Sequence, residues 1–234
     1  MPDRSETNTT TETLTSVAQD YLKVIWTVQE WSGEKVSTKL LAEKLGVSAS
    51  TVSEAVRRLC DQGLLDHERY GAISLTESGR AAAVAMVRRH RLIETFLVRE
   101  LGYGWDEVHD EAEVLEHAVS ERMIAALDAK LGFPPERDPH GDPIPTPPDG
   151  TIPPTPPARQ LSSFADGEFG RVARISDNDP AMLRYFDDVG IALDTEIRVV
   201  ERRDFAGTVA VSIGGNPDRT VDLGNLAADA IWLV

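Results

Sequence analysis

A proline-rich stretch constrains the architecture of this chain more than any other feature of the sequence. Nine of the fourteen prolines fall between Asp138 and Ala158. Proline lacks a backbone N–H and fixes φ, so such a stretch is typical of a semi-rigid, polyproline-type linker that buries no core. Helical periodicity dominates before it, and short β-type runs follow it. The sequence therefore predicts a mostly α N-terminal part and a small all-β domain at the C-terminus.

The first part of the chain has the pattern of a winged helix. An apolar stripe at helical spacing runs from Leu14 to Trp31, and Ser37 and Ser48 can each cap a following helix. Two helices joined by a short turn, followed by the hairpin pattern of Leu64 to Leu75, form a winged helix-turn-helix. We therefore predict a winged-helix DNA-binding domain over residues 1–76.

The second helix of this motif offers side chains suited to DNA. Its first turn is rich in hydroxyls, and a recognition helix presents its N-terminal side chains to the major groove. Hydroxyl and basic groups bind phosphates, whereas Glu54 can accept a hydrogen bond from cytosine N4. Alternatively, the serines only cap the helix and the arginines only decorate its surface. The predicted DNA-binding residues are Ser48, Ser50, Thr51, Ser53, Glu54, Arg57, Arg58 and, in the wing, Arg69.

Two longer helices and a set of strands are predicted further along the chain. The helices cover about 77–101 and 106–131, and their apolar stripes suit dimerisation. We place a helical metal-binding and dimerisation domain at 77–137, the linker at 138–160 and the β domain at 161–234. The predicted strands of that domain are Gly170–Ile175, Glu196–Glu201, Thr208–Ile213 and Thr220–Leu223.

Charge and composition exclude several classes of protein. The net charge of −15 argues by itself against nucleic-acid binding, but Lys35 to Arg91 holds ten Lys/Arg and six Asp/Glu. The polar segment 1–13 lacks the apolar core of a secretory signal and is expected to be a disordered leader. The single cysteine, Cys60, fits a protein of the reducing cytoplasm, and no apolar run is long enough to predict a membrane span.

Histidines and carboxylates occur at metal-ligand spacing in the two longer helices. The sequence reads His90-x-x-x-Glu94 and then His109-x-x-x-Glu113-x-x-Glu116-His117. Residues three, four and seven apart share a helix face, so each cluster projects its imidazoles and carboxylates in one direction. Such a set binds first-row divalent metals. A solvated acidic helix would also explain the carboxylates, but it explains less well why three of the five histidines lie at ligand spacing in one short stretch.

Several motifs resemble the diphtheria-toxin-repressor family of metal-activated transcriptional repressors, most closely its manganese-responsive (MntR) branch. They are Asp20-Tyr-Leu-x-x-Ile, Arg89-His-Arg-Leu-x-Glu-x-Phe-Leu, Val108-His-Asp-Glu-Ala-Glu-x-x-Glu-His and Asp142-Pro-Ile-Pro. The resemblance spans nearly the whole chain. It implies a homodimer that binds a double-stranded DNA operator with palindromic half-sites, represses metal-uptake genes, and carries an SH3-like C-terminal domain.

The resemblance also implies two metal sites. The primary site matches Asp20, Glu113, Glu116 and His117, and the ancillary site matches His90, Glu94 and His109, to which the β domain can add Asp179. Iron-responsive relatives have Met and Cys where this chain has Asp20 and Glu113. An oxygen-rich set suits harder Mn²⁺ better than Fe²⁺, so manganese is the expected metal, with Fe²⁺ or other first-row ions as alternatives. Lys23 replaces a further carboxylate, which favours separated sites over a paired cluster.

A metal shared by the first helix and a later helix would fix the two recognition helices of a dimer at the spacing of two half-sites. Two other functions remain open at this point. An iron-sensing repressor of the same architecture differs only in metal selectivity. A metal-dependent hydrolase is the second alternative, although no residue stands out as a nucleophile or general base.

Overall fold

The computed structural model describes residues 14–31, 35–67, 71–132, 136–146, 150–153 and 157–234, without the side chain of Pro217. The expected leader, residues 1–13, and Arg69 lie outside these ranges. The chain divides into two compact units, one of residues 1–90 with 145–151 and one of residues 91–144 with 152–234. None of the described helices is long and apolar enough to cross a membrane.

The first unit contains the predicted winged helix. Ser37 and Ser48 cap their helices by accepting hydrogen bonds from the backbone N–H groups of Leu40 and Thr51. Gly46 ends the first of these helices at φ 65, in the left-handed region that glycine adopts without strain. The elements are α1 Ser16–Trp31, α2 Thr38–Leu45, α3 Ala49–Asp61, the antiparallel strands β1 Leu65–His67 and β2 Ile73–Leu75, and the start of α4 Glu77–Phe96.

The helices of the second unit differ from the prediction in one place. Beyond α4, a π-helical turn, Leu97–Leu101, ends at Gly102. The single helix predicted at 106–131 is wrong, because the chain forms α5 Val108–Ala118 and α6 Glu121–Lys130. Val119 is extended, and Ser120 caps α6 by accepting from the Met123 N–H. A hydroxyl that satisfies an orphan N–H favours a new helix start at this point.

The proline-rich stretch also differs from the prediction. Its first part buries Asp138, His140, Asp142 and Ile144, each at most 5% exposed. Ile144 packs into an apolar cluster with Leu92, Val108 and Leu127. The expectation that this stretch buries no core is therefore wrong for its first part, because polar partners elsewhere in the unit satisfy its buried groups.

The C-terminal domain is a six-stranded antiparallel sheet in the order β3-β8-β4-β5-β6-β7. Its core holds Phe186, Val172, Ile197, Val211 and Ile231. Two helices that were not predicted, α7 and α8, accompany the sheet. The elements are β3 Arg159–Gln160, β4 Phe169–Ile175, α7 Pro180–Val189, β5 Glu196–Arg203, β6 Thr208–Ile213, β7 Asn216–Gly224, α8 Asn225–Asp229 and β8 Ile231–Leu233. The predicted fold class is confirmed.

Candidate metal centre

A buried glutamate at the end of α4 lies at the middle of a ligand cluster. Glu94 is 0% exposed, and its Oε1 lies 3.3 Å from His109 Nδ1. Its Oε2 lies 3.8 Å from Nδ1 of His140, which is also 0% exposed. Helix α5 supplies His109, and the first part of the proline-rich stretch supplies His140. One carboxylate therefore faces two imidazoles.

The C-terminal domain adds a carboxylate to this cluster. Asp177, in the loop between β4 and α7, places Oδ2 3.1 Å from His109 Nδ1. Ligand atoms of Glu94, His109 and Asp177 all lie within 4.8 Å of one another. Glu113, one turn along α5, places Oε1 3.7 Å from His109 Nε2. Carboxylates thus approach both nitrogens of His109.

Asp179, the predicted ligand from this domain, caps a helix. Its Oδ1 accepts hydrogen bonds from the backbone N–H groups of Ala181 at 2.9 Å and Met182 at 3.3 Å, so it caps α7. The carboxylate that the domain brings to His109 is that of Asp177. Capping engages Oδ1 of Asp179, and its participation in the metal site stays a prediction.

His140 is held in an orientation suited to a ligand. Its Nε2–H donates to the carbonyl of Trp105 at 2.7 Å, and the two rings stack with centroids 6.1 Å apart. Among the described residues, His140 Nδ1 has no hydrogen-bond partner. Metal-binding histidines characteristically donate their second N–H to a carbonyl or carboxylate, which fixes the ring. Nδ1 is therefore the nitrogen available to a cation.

Asp138 completes this side of the cluster. Ligand atoms of Glu94, Asp138 and His140 lie within 4.8 Å of one another. Asp138 Oδ1 accepts from the backbone N–H groups of His140 and Asp142, each at 2.9 Å. These bonds wind the loop around the Asp138 side chain and keep His140 beside Glu94.

Proton binding in the cluster reflects its high density of negative charge. Burial disfavours the imidazolium of His109, but hydrogen bonds to Asp177 and Glu94 outweigh this and raise its pKa to about 11. His140 is also desolvated, yet the nearby Glu94 and Asp138 raise its pKa to about 10. Burial raises the pKa of Asp138 to about 8, helped by the charges of Asp142 and Glu94.

Asp177 shows the opposite shift. Burial alone would raise its pKa, but the hydrogen bond and charge of His109 hold the pKa well below the usual range of an aspartate. Protons therefore occupy the histidines while Asp177 stays ionised. A divalent cation can replace these protons, since it offsets the same carboxylate charges.

The donor set fits a first-row divalent metal. Its members offer carboxylate oxygens and imidazole nitrogens, and no cysteine of the described residues joins them. Oxygen and nitrogen donors of this kind suit Mn²⁺, Fe²⁺ and Zn²⁺, and an oxygen-rich set favours the hardest of them.

The remaining predicted metal ligands lie on three helices. His90 is 6% exposed and lies one turn before Glu94 on α4. On α5, Glu116 is 0% exposed, and its Oε1 lies 3.5 Å from His117 Nε2. Asp20 lies on α1 in the first unit and is half-buried. Its participation with the α5 residues stays a prediction.

The recognition helix has the expected amphipathic form. Its inner face buries Val52, Val56 and Leu59, while the predicted DNA-binding residues of α3 are exposed. The Ser48 hydroxyl lies 2.8 Å from those of Ser50 and Thr51. The exposed residues are Ser48, Ser50, Thr51, Ser53, Glu54, Arg57 and Arg58.

Sequence reasoning missed Asp138, His140 and Asp177. None of them lies on a helix at ligand spacing, so local periodicity gave no signal. By its prolines, the pattern Asp138-Pro-His-Gly-Asp142 predicts only a part of the linker. A short loop with several potential ligands inside a proline-rich stretch was the one available hint.

Protein-family models match successive segments of this chain. Residues 13–73 match the model "Iron dependent repressor, N-terminal DNA binding domain", residues 76–146 match "Iron dependent repressor, metal binding and dimerisation domain", and residues 159–234 match the FeoA domain. The iron-dependent repressor IdeR of Mycobacterium tuberculosis is 39% identical over 132 residues, which is 56% of this chain and 56% of that protein. The match therefore spans little more than half of that relative's length.

Two solved structures extend the similarity over almost the whole chain. A manganese-dependent transcriptional repressor in complex with manganese is 68% identical, with a TM-score of 0.87, covering 93% of this chain and 99% of that one. A second manganese-dependent transcriptional repressor is 58% identical, with a TM-score of 0.73, covering 92% and 98%. The chain therefore belongs to the iron-dependent repressor, or diphtheria toxin repressor, family, whose members are DNA-binding transcriptional repressors and not enzymes.

Proposed function

We propose that this protein is a manganese-activated transcriptional repressor of metal-uptake genes that binds its operator as a homodimer. The observation that carries the proposal is the cluster around Glu94, where described carboxylates and imidazoles form a ligand set for a first-row divalent metal. Soft sulfur donors favour iron and its heavier neighbours, and this chain has Asp20 and Glu113 where the resemblance places Met and Cys in iron-responsive relatives, which favours manganese. The similarity to two manganese-dependent repressors supports the same metal.

The first proposed metal centre uses residues from three parts of the second unit. Glu94 and His109 come from the helices, Asp138 and His140 from the loop, and Asp177 from the β domain. His90, one turn before Glu94, is the further candidate. Bound metal would neutralise carboxylates that otherwise repel one another in a buried site. Asp177 then ties the β domain to the dimerisation helices.

The second proposed centre joins Asp20 with Glu113, Glu116 and His117. This set rests on the family resemblance and on the chemistry of the residues. Because Asp20 belongs to the winged helix, its participation would fix the recognition helices of a dimer relative to the dimerisation domains. Half-sites of helix-turn-helix dimers lie about 34–36 Å apart, so fixing that spacing switches DNA affinity.

The DNA contacts follow from the exposed face of α3. Its hydroxyls and the guanidinium groups of Arg57 and Arg58 would bind phosphates, while Glu54 would accept from a cytosine amino group. Arg69, which the sequence predicts in the wing, would add a phosphate contact. The palindromic operator follows from the two-fold symmetry of a dimer.

An iron-responsive repressor is the second candidate function. The matches to iron-dependent repressors favour it, namely IdeR at 39% identity over 132 residues and the two iron-dependent repressor models. The two candidates differ in which metal activates DNA binding.

Fluorescence anisotropy on the promoter of a manganese-transport gene separates the candidates. The full chain is titrated with Mn²⁺ and, anaerobically, with Fe²⁺ at fixed salt, because DNA affinity depends steeply on salt. DNA binding that Mn²⁺ activates at concentrations where Fe²⁺ fails supports the manganese repressor. An equal or better response to Fe²⁺ would show that the protein is the iron-responsive repressor.

Substitution Asp20→Ala tests the second centre. We expect metal-activated DNA binding to disappear while circular dichroism and the dimer mass stay unchanged. Unchanged manganese-dependent affinity in this variant would show that Asp20 plays no part in the switch.

A further inference from the structure

We propose that Arg91 and Arg174 are positioning residues of the metal centre around Glu94. They hold Asp138 and Asp142 from two sides and so fix the loop that presents His140. The inference deepens the proposed function and rests on it. It assigns no direct metal contact to either arginine.

The loop itself has little freedom once its two ends are held. The backbone N–H of Asp138 donates to the carbonyl of Asp142 at 2.9 Å, in addition to the bonds that Asp138 Oδ1 accepts. Gly141 has φ 98, and a Cβ there would lie 2.1 Å from the carbonyl oxygen of Ala173. Glycine permits this close approach to β4. The loop is therefore tightly wound and packed against the β domain.

Arg91 holds the loop from the helical side. Its Nη1 donates to the carbonyl of Pro143 at 2.6 Å. Its Nε lies 3.7 Å from Asp138 Oδ2, and its Nη2 lies 3.8 Å from Asp142 Oδ2. The Arg91 side chain is 5% exposed. The buried guanidinium of Arg91 therefore contacts one carbonyl and two carboxylates of the loop. Arg91 lies on α4, the helix that also carries Glu94.

Arg174 holds the loop from the β domain. Its Nε donates to Asp142 Oδ1 at 2.5 Å, and its guanidinium stacks 4.4 Å above the ring of Trp232. The next residue of β4, Ile175, donates its backbone N–H to the carbonyl of His140 at 2.9 Å. Asp142 therefore joins the two arginines, and β4 contacts the backbone of the proposed ligand directly.

The energetics favour a positioning role over a simple stabilising one. Buried ion pairs add little net stability, because the cost of desolvation offsets their attraction. The planar guanidinium instead fixes the direction of several hydrogen bonds at once. Partners that orient metal ligands typically change metal affinity by about 10–100-fold when they are removed. The network is suited to keep His140 and Asp138 within reach of Glu94.

The test measures Mn²⁺ affinity and stoichiometry of the full-length protein by competition with a chromophoric chelator. The part of the Mn²⁺ binding that is lost on substitution Glu94→Gln is assigned to the centre around Glu94. We expect Arg174→Gln to weaken Mn²⁺ binding at that centre by about 10–100-fold, and Arg174→Lys to recover part of the loss. The matched control is Arg171→Gln on the same strand, where the exposed Arg171 contacts the carbonyl of Asp194 at 3.4 Å.

A double variant distinguishes the loss of a positioning contact from a folding defect. Asp142→Asn combined with Arg174→Gln removes both members of this pair, while Arg91 keeps its contacts with Asp138 and the Pro143 carbonyl. We expect the double variant to fold and still to show weakened Mn²⁺ binding and a broadened electron paramagnetic resonance spectrum of bound Mn²⁺. Wild-type affinity and spectrum in a folded double variant, with or without a lower melting temperature, would overturn the positioning role. Absence of Mn²⁺ binding by the wild type would instead overturn the proposed function.

Discussion

Glu94 places its two carboxylate oxygens against two different histidines, Oε1 at 3.3 Å from His109 Nδ1 and Oε2 at 3.8 Å from His140 Nδ1. Glu94 and His140 are both 0% exposed. A buried charge without a counter-ion is costly, so such a carboxylate persists where cations or protons offset it. Glu94 is therefore the shared element of the proposed centre.

Replacing this carboxylate tests its central position. Loss of a residue that only orients a metal ligand typically weakens metal binding by about 10–100-fold. We expect Glu94→Gln to weaken Mn²⁺ binding by at least this factor, because the amide removes a charged ligand. Chelator competition measures the affinity, and DNA anisotropy measures the loss of activation. Glu100→Gln is the control, since Glu100 pairs with Lys130 at 3.1 Å outside the cluster. Equal affinities of the two variants would remove Glu94 from the site.

Asp177 and Asp179 offer a matched pair in one loop. We expect Asp177→Ala to weaken Mn²⁺ binding and also to lower metal-free stability at neutral pH, because Asp177 faces His109 and their ion pair stabilises the metal-free protein. Asp179→Ala should lower the free energy of unfolding by about 1 kcal/mol through loss of a helix cap, and leave Mn²⁺ binding unchanged. Urea unfolding and metal titration of both variants give the comparison. The reverse pattern would return the ligand role to Asp179.

Metal binding should release protons. At pH 7 His109 and His140, with pKa values of about 11 and 10, are protonated without metal. A metal binds only the neutral ring, so Mn²⁺ affinity should rise with pH in this range. Calorimetry in two buffers of different ionisation enthalpy measures the release. We expect less release from His109→Gln and wild-type release from His67→Gln, whose histidine is exposed on β1. A release independent of His109 would contradict the assignment.

The same shifts predict how metal-free stability changes with pH. Both histidines have folded-state pKa values above the unfolded value of about 6.5. Their stabilising contribution is therefore complete below about pH 6.5 and is lost as the pH rises toward 10 and 11. Urea unfolding of wild type and His109→Gln across this range measures the contribution. An identical pH dependence of the two proteins would show that His109 contributes nothing.

Gly141 provides a test of the packed loop. An alanine there adopts the left-handed region, which costs an L-residue about 1–2 kcal/mol, and its Cβ also overlaps the Ala173 carbonyl. Gly132→Ala is the control, because Gly132 has φ 83 but nothing within 4 Å of its Cβ position. We expect Gly141→Ala to lower the melting temperature more than Gly132→Ala and to weaken Mn²⁺ binding. Equal melting temperatures would mean that the loop is not held against β4.

The sequence by itself determined the features that depend on local spacing. The caps Ser37 and Ser48 and the apolar stripes specify the winged helix, since hydrogen bonds and periodicity within a few residues decide helix ends and faces. For the same reason, His90 and Glu94 were recognised as one cluster on a single helix. The alternation of Val209, Val211 and Ile213 with smaller or polar residues predicted the bounds of β6, Thr208–Ile213, correctly.

Only the tertiary structure decided the rest of the centre. His140 and Asp177 lie in loops, where no periodicity relates them to Glu94. The proline-rich stretch was expected to stay unburied, but Arg91 and Arg174 satisfy its buried carboxylates from positions far away along the chain. Such pairing depends on how α4 and β4 are brought together, which local propensity does not encode. The site is therefore predictable where one helix carries it and not where three segments meet.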